Sequence, residues 1–378
     1  MKRVPVKPRD GWEQKIQEQG FLYYHYDAYY SEQCAYEFAT NEIDQIEAAT
    51  ADLFDMCLEV VDHVIKKGLW DEFFIPRQYA DLVKWSWEND NPSFYGRFDL
   101  GYNNGQIKLL EFNADTPTSL LEASVVQWYW LQDHNNTYDQ FNSIHEKLLD
   151  HLKVCKPDLL PGKLWFASAD SLEDIMNVKY IQDVAEQAGI ATDFIIVDDI
   201  ALNEQNQFVS GDNERIANIF KLYPYEWMFR EPFGAYLVSN RDECLWIEPP
   251  YKAILSNKML LKYLYDLFPK SPYVLPCGFS DKGVPAGTAP AYVRKPVFSR
   301  EGANVTIIKD GHVLEQTGGE YGEEGFLYQQ YFPLLNFDGN VPVIGSWLIG
   351  GKPAGIGIRE SGGLITGNTS RFCAHYIR

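Results

Sequence analysis

A chain of 378 residues with 46% hydrophobic content and 15% aromatics can bury a large core and build two or three packed subdomains, which excludes a disordered protein. Its 33 basic residues stand against 53 acidic ones, a formal charge of -20 that repels phosphate backbones and anionic lipid and attracts cations. That balance argues against nucleic acid and membrane as partners and favours a cationic small molecule.

The opening MKRVPVKPRDGWEQ has basic residues with no apolar stretch behind them, and no later segment reaches the ~18 uninterrupted apolar residues of a membrane span. The expected location is the cytoplasm. Residues from about 10 to 90 read as largely helical: Ile46, Leu53, Met56, Val60 and Ile65 recur at near-helical spacing between Ile43 and Lys67, and Gly68 stops the run. A polar-faced hairpin follows, then a helix from Leu120 to about Trp130. KLWFA (163–167), Ser171 to Gly189 and DFIIVDD (193–199) read as strand, capped helix and strand. This is a βαβ unit of doubly wound type, without the G-x-G-x-x-G of a dinucleotide site. SNKMLLKYLYDLF starts a helix at Ser256 or Asn257, and a Pro/Gly-rich stretch runs from Pro272 to Pro290. Strand-like runs follow in AYVRKPVF, NVTII, GFLYQQYF, VIGSWLIGG and AGIGIRES, so the expected class is mixed α/β with an antiparallel C-terminal half. Six cysteines are scattered singly, without the close pairs of zinc or redox motifs, and are expected to be reduced and buried.

The hairpin is YGRFDLGYNNGQIKLLEFNADTPTS, residues 95–119. Asn104-Gly105 signals a turn. A regular two-residue loop would pair Phe98 with Glu111 and mix charge into the apolar side. A three-residue loop, Asn103 to Gly105, instead pairs Arg97 with Glu111 and Asp99 with Leu109. It turns Phe98, Leu100, Leu110 and Phe112 to the core and gathers Arg97, Asp99, Glu111 and Asn113 on the other face. Two carboxylates and an amide oxygen on a rigid face are hard ligands suited to Mg²⁺ and its phosphates, and an adjacent arginine can grip phosphate or carboxylate. The competing reading is a solvated face with an Arg97–Glu111 surface pair worth about 0–1 kcal/mol.

The hairpin does not stand alone. Together with KLYPYEWMFRE (221–231), LSNK (255–258), VRKPVFSREGANV (293–305) and GIGIRESGGLITGNTSRF (355–372), it resembles the synthetase domain of the glutathionylspermidine synthetase family over nearly the whole chain. Within that family the chain looks like the stand-alone acid-amine ligases, which lack the N-terminal amidase domain. The resemblance implies an ATP-grasp fold in permuted order, metal hairpin before lysines, as in eukaryotic glutathione synthetases. It also implies an ATP-dependent carboxylate-amine ligase acting through an acyl phosphate.

By the same resemblance Asp99, Glu111 and Asn113 are Mg²⁺ ligands, and Arg97 faces the nucleotide phosphates and acyl phosphate. Lys258 and Lys295 reach ATP phosphates, Arg300 sits on a mobile loop hinged at Gly302, and Arg359 is a further phosphate-side arginine. Gln329, Gln330 and Tyr331 border adenine. Thr116 and Thr118 stand where the family has small hydroxyl residues that contact the acid, here with Pro117 between them, and Glu226 is a candidate for acid or amine binding. The implied partners are a peptide-like acid and a polyamine-like amine. Expected units are residues 1–150 (helical region, hairpin and part of the core), 151–250 (a βαβ pre-ATP-grasp-like subdomain), 251–330 (the lid) and 331–378 (the rest of the core). Two alternatives remain open in the sequence: a non-catalytic nucleotide- or peptide-binding protein, and a kinase on the same fold.

Overall fold

The computed structural model describes residues 1–280, 291–367 and 370–378. Part of the Pro/Gly-rich stretch, 281–290, and two residues of the GIGIRES…SRF motif, 368–369, lie outside the described residues.

A seven-stranded sheet carries the hairpin at one edge. Its order is Lys2–Pro5, Tyr30–Phe38, Arg371–Ile377, Lys352–Ser361, Val341–Ile349, Tyr95–Asn103 and Gln106–Asn113. All neighbours are antiparallel except Tyr30–Phe38 with Arg371–Ile377, which run parallel. Strand Tyr30–Phe38 interrupts the region expected to be helical. The expected helix beside it spans Thr40–Lys67, with Ile46, Leu53 and Val60 on its buried face. It ends as a Schellman-type cap: Gly68 takes φ +65°, and Gly68 N and Leu69 N donate to the carbonyls of Ile65 and Val64. This helix packs on the sheet through Phe54 against Phe112 and through Thr50 Oγ1 to Ser346 Oγ at 2.7 Å.

The βαβ unit forms as expected: Leu164–Ser168 and Thr192–Ile196 pair in parallel, joined by helix Leu172–Gln187, whose Ser171 side chain accepts from Asp174 N. Two further parallel strands, Asn218–Leu222 and Leu245–Ile247, complete a four-stranded sheet. A five-stranded antiparallel sheet orders Cys277–Gly278, Phe326–Gln330, Ala291–Pro296, Thr306–Lys309 and His312–Gln316. The helix after the hairpin opens with a π-helical turn, Glu122–Val126, and continues as Gln127–Asn135, past the expected end at Trp130. All six cysteines are free and buried. Among the described residues no helix is long and apolar enough to cross a membrane.

Candidate active site

The hairpin corrects the expected loop. Asn103 pairs with Gln106, so the turn is the two-residue Asn104-Gly105, with φ +48° and +82° as a type I′ turn requires. Register is recovered by a β-bulge between Asp99 and Leu100: Leu100 faces Leu109, Asp99 faces Glu111, and Leu110 is the extra residue. Arg97 therefore lies opposite Asn113, not Glu111, and pairs along its own strand with Asp99, Nε to Oδ1 3.0 Å. Arg97, Asp99, Glu111 and Asn113 still share one face, all lining a single cavity of about 450 Å³. Leu110 does not face the core as expected; it lines that cavity, and Leu109 takes the core position.

Cations crowd this face from three other elements. Arg359, on Lys352–Ser361, donates to Asp99 Oδ2 at 2.5 Å, and Asn113 Nδ2 reaches the same oxygen at 3.3 Å. Burial raises the Asp99 carboxyl, but the Arg359 and Arg97 guanidiniums outweigh it and hold its pKa below the usual range. Lys258 is buried at the start of helix Met259–Leu267, 2.7 Å from Glu111 Oε1 and 2.8 Å from the Ser299 carbonyl. Lys295 is buried too, donating to the Leu110 carbonyl and to Gln329 Oε1, each at 2.8 Å. The bulge is what presents the Leu110 carbonyl. Burial pushes the Lys295 ammonium down to about 8 against the pull of Glu111. Neither lysine is the exposed surface group its sequence surroundings allow.

Hard-oxygen groups of Asp99, Glu111 and Asn113 sit among four cations, so two carboxylates leave an excess of positive charge. That set fits a magnesium polyphosphate, the carboxylates holding metal and the surplus cations holding phosphate. The buried Arg359 Nε and Arg300 Nε have no hydrogen-bond partner among the described residues, further donors in want of an anion.

Arg300 reaches over the cavity from the loop after Ala291–Pro296. It donates to Thr116 Oγ1 at 2.7 Å and Glu226 Oε1 at 2.8 Å, and lies over the Trp227 ring at 5.3 Å. Glu226 thus holds the loop arginine; it is not among the cavity-lining residues. Gly302 takes φ +69°, and a Cβ there would lie 2.5 Å from the Thr366 carbonyl, so the loop's close approach to 364–367 requires glycine. The Thr118 carbonyl accepts from Arg97, while Gln329, Gln330 and Tyr331 line the cavity wall. The amides of Gln330 and Tyr331 donate to the carbonyls of Pro276 and Ala291, and Gln329 Nε2 donates to the Leu109 carbonyl, which fixes this stretch in the five-stranded sheet.

Several groups escaped the sequence reading. Asp115, next to the hairpin, makes a buried ion pair with Lys221 at 2.5 Å and accepts from Tyr225 N, tying the site to the parallel sheet. A lysine inside the apolar run NIFKL is the signal that could have found it. Glu173 and Asp174, in the first turn of helix Leu172–Gln187, line the cavity beside Tyr23, Tyr29 and Ser119. Burial raises both carboxyls, that of Asp174 to about 6 with Glu173 adding to it.

A family model described as glutathionylspermidine synthase preATP-grasp matches residues 3–378. The chain belongs to the glutathionylspermidine synthase family. A Haemophilus influenzae protein named as an acid-amine ligase is 41% identical over the full length of both chains. The trypanothione synthetase of Crithidia fasciculata is 30% identical, with 81% of this chain matched to 50% of that one. The bifunctional glutathionylspermidine synthetase/amidase of Escherichia coli is 24% identical over 84% of this chain and 55% of that enzyme. The chain thus spans about half the length of these two synthetases. Among solved structures, a glutathione synthetase-like effector from Globodera pallida superposes with a TM-score of 0.57 at 11% identity, covering 99% of this chain and 98% of that one. The fold is ATP-grasp of the glutathione synthetase-like kind, with the hairpin ahead of the two lysines in the chain, and the protein is an ATP-dependent C–N ligase.

Proposed function

We propose that this glutathionylspermidine synthase family member joins a peptide-like carboxylic acid to a cationic, polyamine-like amine through an acyl phosphate, using ATP and Mg²⁺ in the cytoplasm. The observation that carries the reading is the composition of one cavity: an anion-binding face of Arg97, Arg359 and Lys295 and an acidic wall of Glu173 and Asp174 open into the same space. The first suits phosphate and carboxylate, the second an ammonium group. Six free, buried thiols fit a reducing compartment.

A carboxylate is a poor electrophile, so the acid must first take the γ-phosphoryl group of ATP. Asp99, Glu111 and Asn113 would hold Mg²⁺, whose chemistry is to neutralise phosphate charge during that transfer. Lys258 and Lys295 bind the ATP phosphates from the lid side, and the strand Phe326–Gln330 borders the adenine through Gln329, Gln330 and Tyr331. Arg97 and Arg359 stabilise the transferring group. Arg300, held by Glu226 and Thr116, closes over the acyl phosphate and keeps water from it. Thr116 and Thr118 flank the acid, and Glu173 and Asp174 receive the amine. In this reading residues 1–150 and 331–378 supply the core, 151–250 the βαβ subdomain and 251–330 the lid.

The test is a screen of short peptides and amines for ADP release, with products identified by mass. Release that requires both an acid and an amine, with a product lighter by one water than their sum, is the expected result. ADP release with acid or amine alone, and no amide, would overturn it.

A further inference from the structure

The acidic wall raises a problem that the ligase reading leaves open. An amine held by carboxylates arrives as an ammonium ion, which has no lone pair to attack an acyl phosphate. One of its protons must go to a neighbouring group.

Behind Tyr29 and Tyr23 lies Glu122, fully buried and not itself in contact with the cavity. Its Oε1 accepts from Tyr29 Oη at 2.8 Å and Tyr23 Oη at 2.9 Å, and Tyr29 Oη also lies 2.7 Å from Ser119 Oγ. Glu122 Oε2 is buried with no hydrogen-bond partner among the described residues. A second oxygen left bare is costly for a carboxylate that stays charged. The cost falls once the group takes up a proton. Glu122 opens the π-helical turn Glu122–Val126, and Ser119 just before it adopts φ +69°, so the backbone departs from regular helix where these groups converge. Tyr29 lines the same cavity as Arg97 and Arg359.

We infer that Tyr29 and Glu122 form a proton relay for the attacking amine. The ammonium gives a proton to Tyr29 Oη as the Tyr29 hydroxyl proton moves to Glu122 Oε1. The freed lone pair forms the C–N bond, the tetrahedral centre collapses with its C–O bond electrons leaving on phosphate, and the second nitrogen proton departs with that phosphate. Glu122 returns its proton through Tyr29 when product leaves. Tyr29 touches substrate in this scheme, whereas Glu122 acts through it. Burial raises the Tyr29 hydroxyl well above its ordinary value, so it passes a proton without holding a charge. The groups facing Glu122 are Tyr29, Glu173 and Tyr23; burial, with Glu173 adding, lifts its carboxyl to about 7, midway between donor and acceptor at neutral pH.

The inference rests on the ligase reading, and hydroxylamine separates the two. It is uncharged at neutral pH and needs no proton acceptor before attack, so ATP-dependent hydroxamate formation reports activation of the acid alone. Glu122→Gln and Tyr29→Phe are compared with the wild type, using hydroxylamine and an alkyl diamine as acceptors. Expected is a roughly 100-fold loss with the diamine at pH 7 and near-normal hydroxamate formation. The diamine deficit should shrink as pH rises and more of the amine arrives neutral. Tyr29→Phe leaves the Tyr23–Glu122 bond in place and guards against a folding defect in the other variant. Equal losses with both acceptors would show a structural role and overturn the relay, as would full activity with the diamine. A wild type that forms no hydroxamate with any acid would instead overturn the ligase reading itself.

Discussion

At Glu111 two demands meet: the carboxylate that would hold a metal is also the counter-ion of buried Lys258, and its side chain keeps 28% of its exposure toward the cavity. Removing it uncovers no core but leaves buried Lys258 without its carboxylate, so Glu111→Ala should abolish Mg²⁺-dependent ADP release and lower stability by about 1–3 kcal/mol with the fold retained. Retained ADP release would contradict its role. Glu122 makes a prediction of opposite kind, on stability. Its folded value of about 7 lies above the ordinary 4.5, so its stabilisation relative to glutamine is complete below pH ~4.5 and is lost as pH rises through 7. Denaturant titrations of wild type and Glu122→Gln should show a difference moving by about 3 kcal/mol in favour of the variant across that window. A flat difference would mean the carboxyl titrates normally. Glu111 was visible in the sequence because alternation put four polar side chains on one strand face. Glu122, Glu173 and Asp174 were not: acidic residues in the first turn of a helix are ordinary capping composition, and only the bonds of Tyr23 and Tyr29 to Glu122 and the place of Glu173 and Asp174 on the cavity wall make them unusual.

Among the elements, the hairpin shows where pattern reading stops. Asn104-Gly105 pointed to a two-residue turn, and the alternation of charges demanded a register that such a turn does not give. A longer loop and a bulge both reconcile these signals, and two consecutive leucines, Leu109 and Leu110, where alternation allows one, were the mark of the bulge. Deleting Leu110 should restore an unbroken ladder, with Asp99 still opposite Glu111 and the polar face intact. What it removes is the carbonyl that accepts from Lys295. A charge-assisted bond of this kind is worth about 1.5–3 kcal/mol, so the KM for ATP should rise about tenfold or more while the protein melts cooperatively. Loss of the fold, or an unchanged KM, would contradict this account of the bulge. The strand Tyr30–Phe38 was illegible for a different reason: its pairing partner Arg371–Ile377 lies at the far end of the sequence, and nothing local in YSEQCAYEF marks a parallel neighbour.

For the molecule as a whole, the net charge of -20 acts as a long-range field on a cationic substrate, screened over roughly 8 Å at physiological salt. Where capture of the amine limits the ratio, kcat/KM for a polyamine should fall as ionic strength rises from low values, and a neutral amine should show no such slope. A polyamine rate indifferent to salt would assign recognition to Glu173 and Asp174 alone. The central sheet also has a consequence in time. Cys34 and Cys373, side by side across its parallel strand pair, are 339 residues apart in the chain. At the roughly 5–20 residues per second of translation, the strand Tyr30–Phe38 waits on the order of half a minute for its neighbour. During that interval Lys2–Pro5 covers one of its edges and the other has no native partner to meet. An open strand edge is a template for any other chain nearby, so yield during synthesis should be set by how well the cell shields that edge, and slower growth at low temperature with added chaperone should raise it.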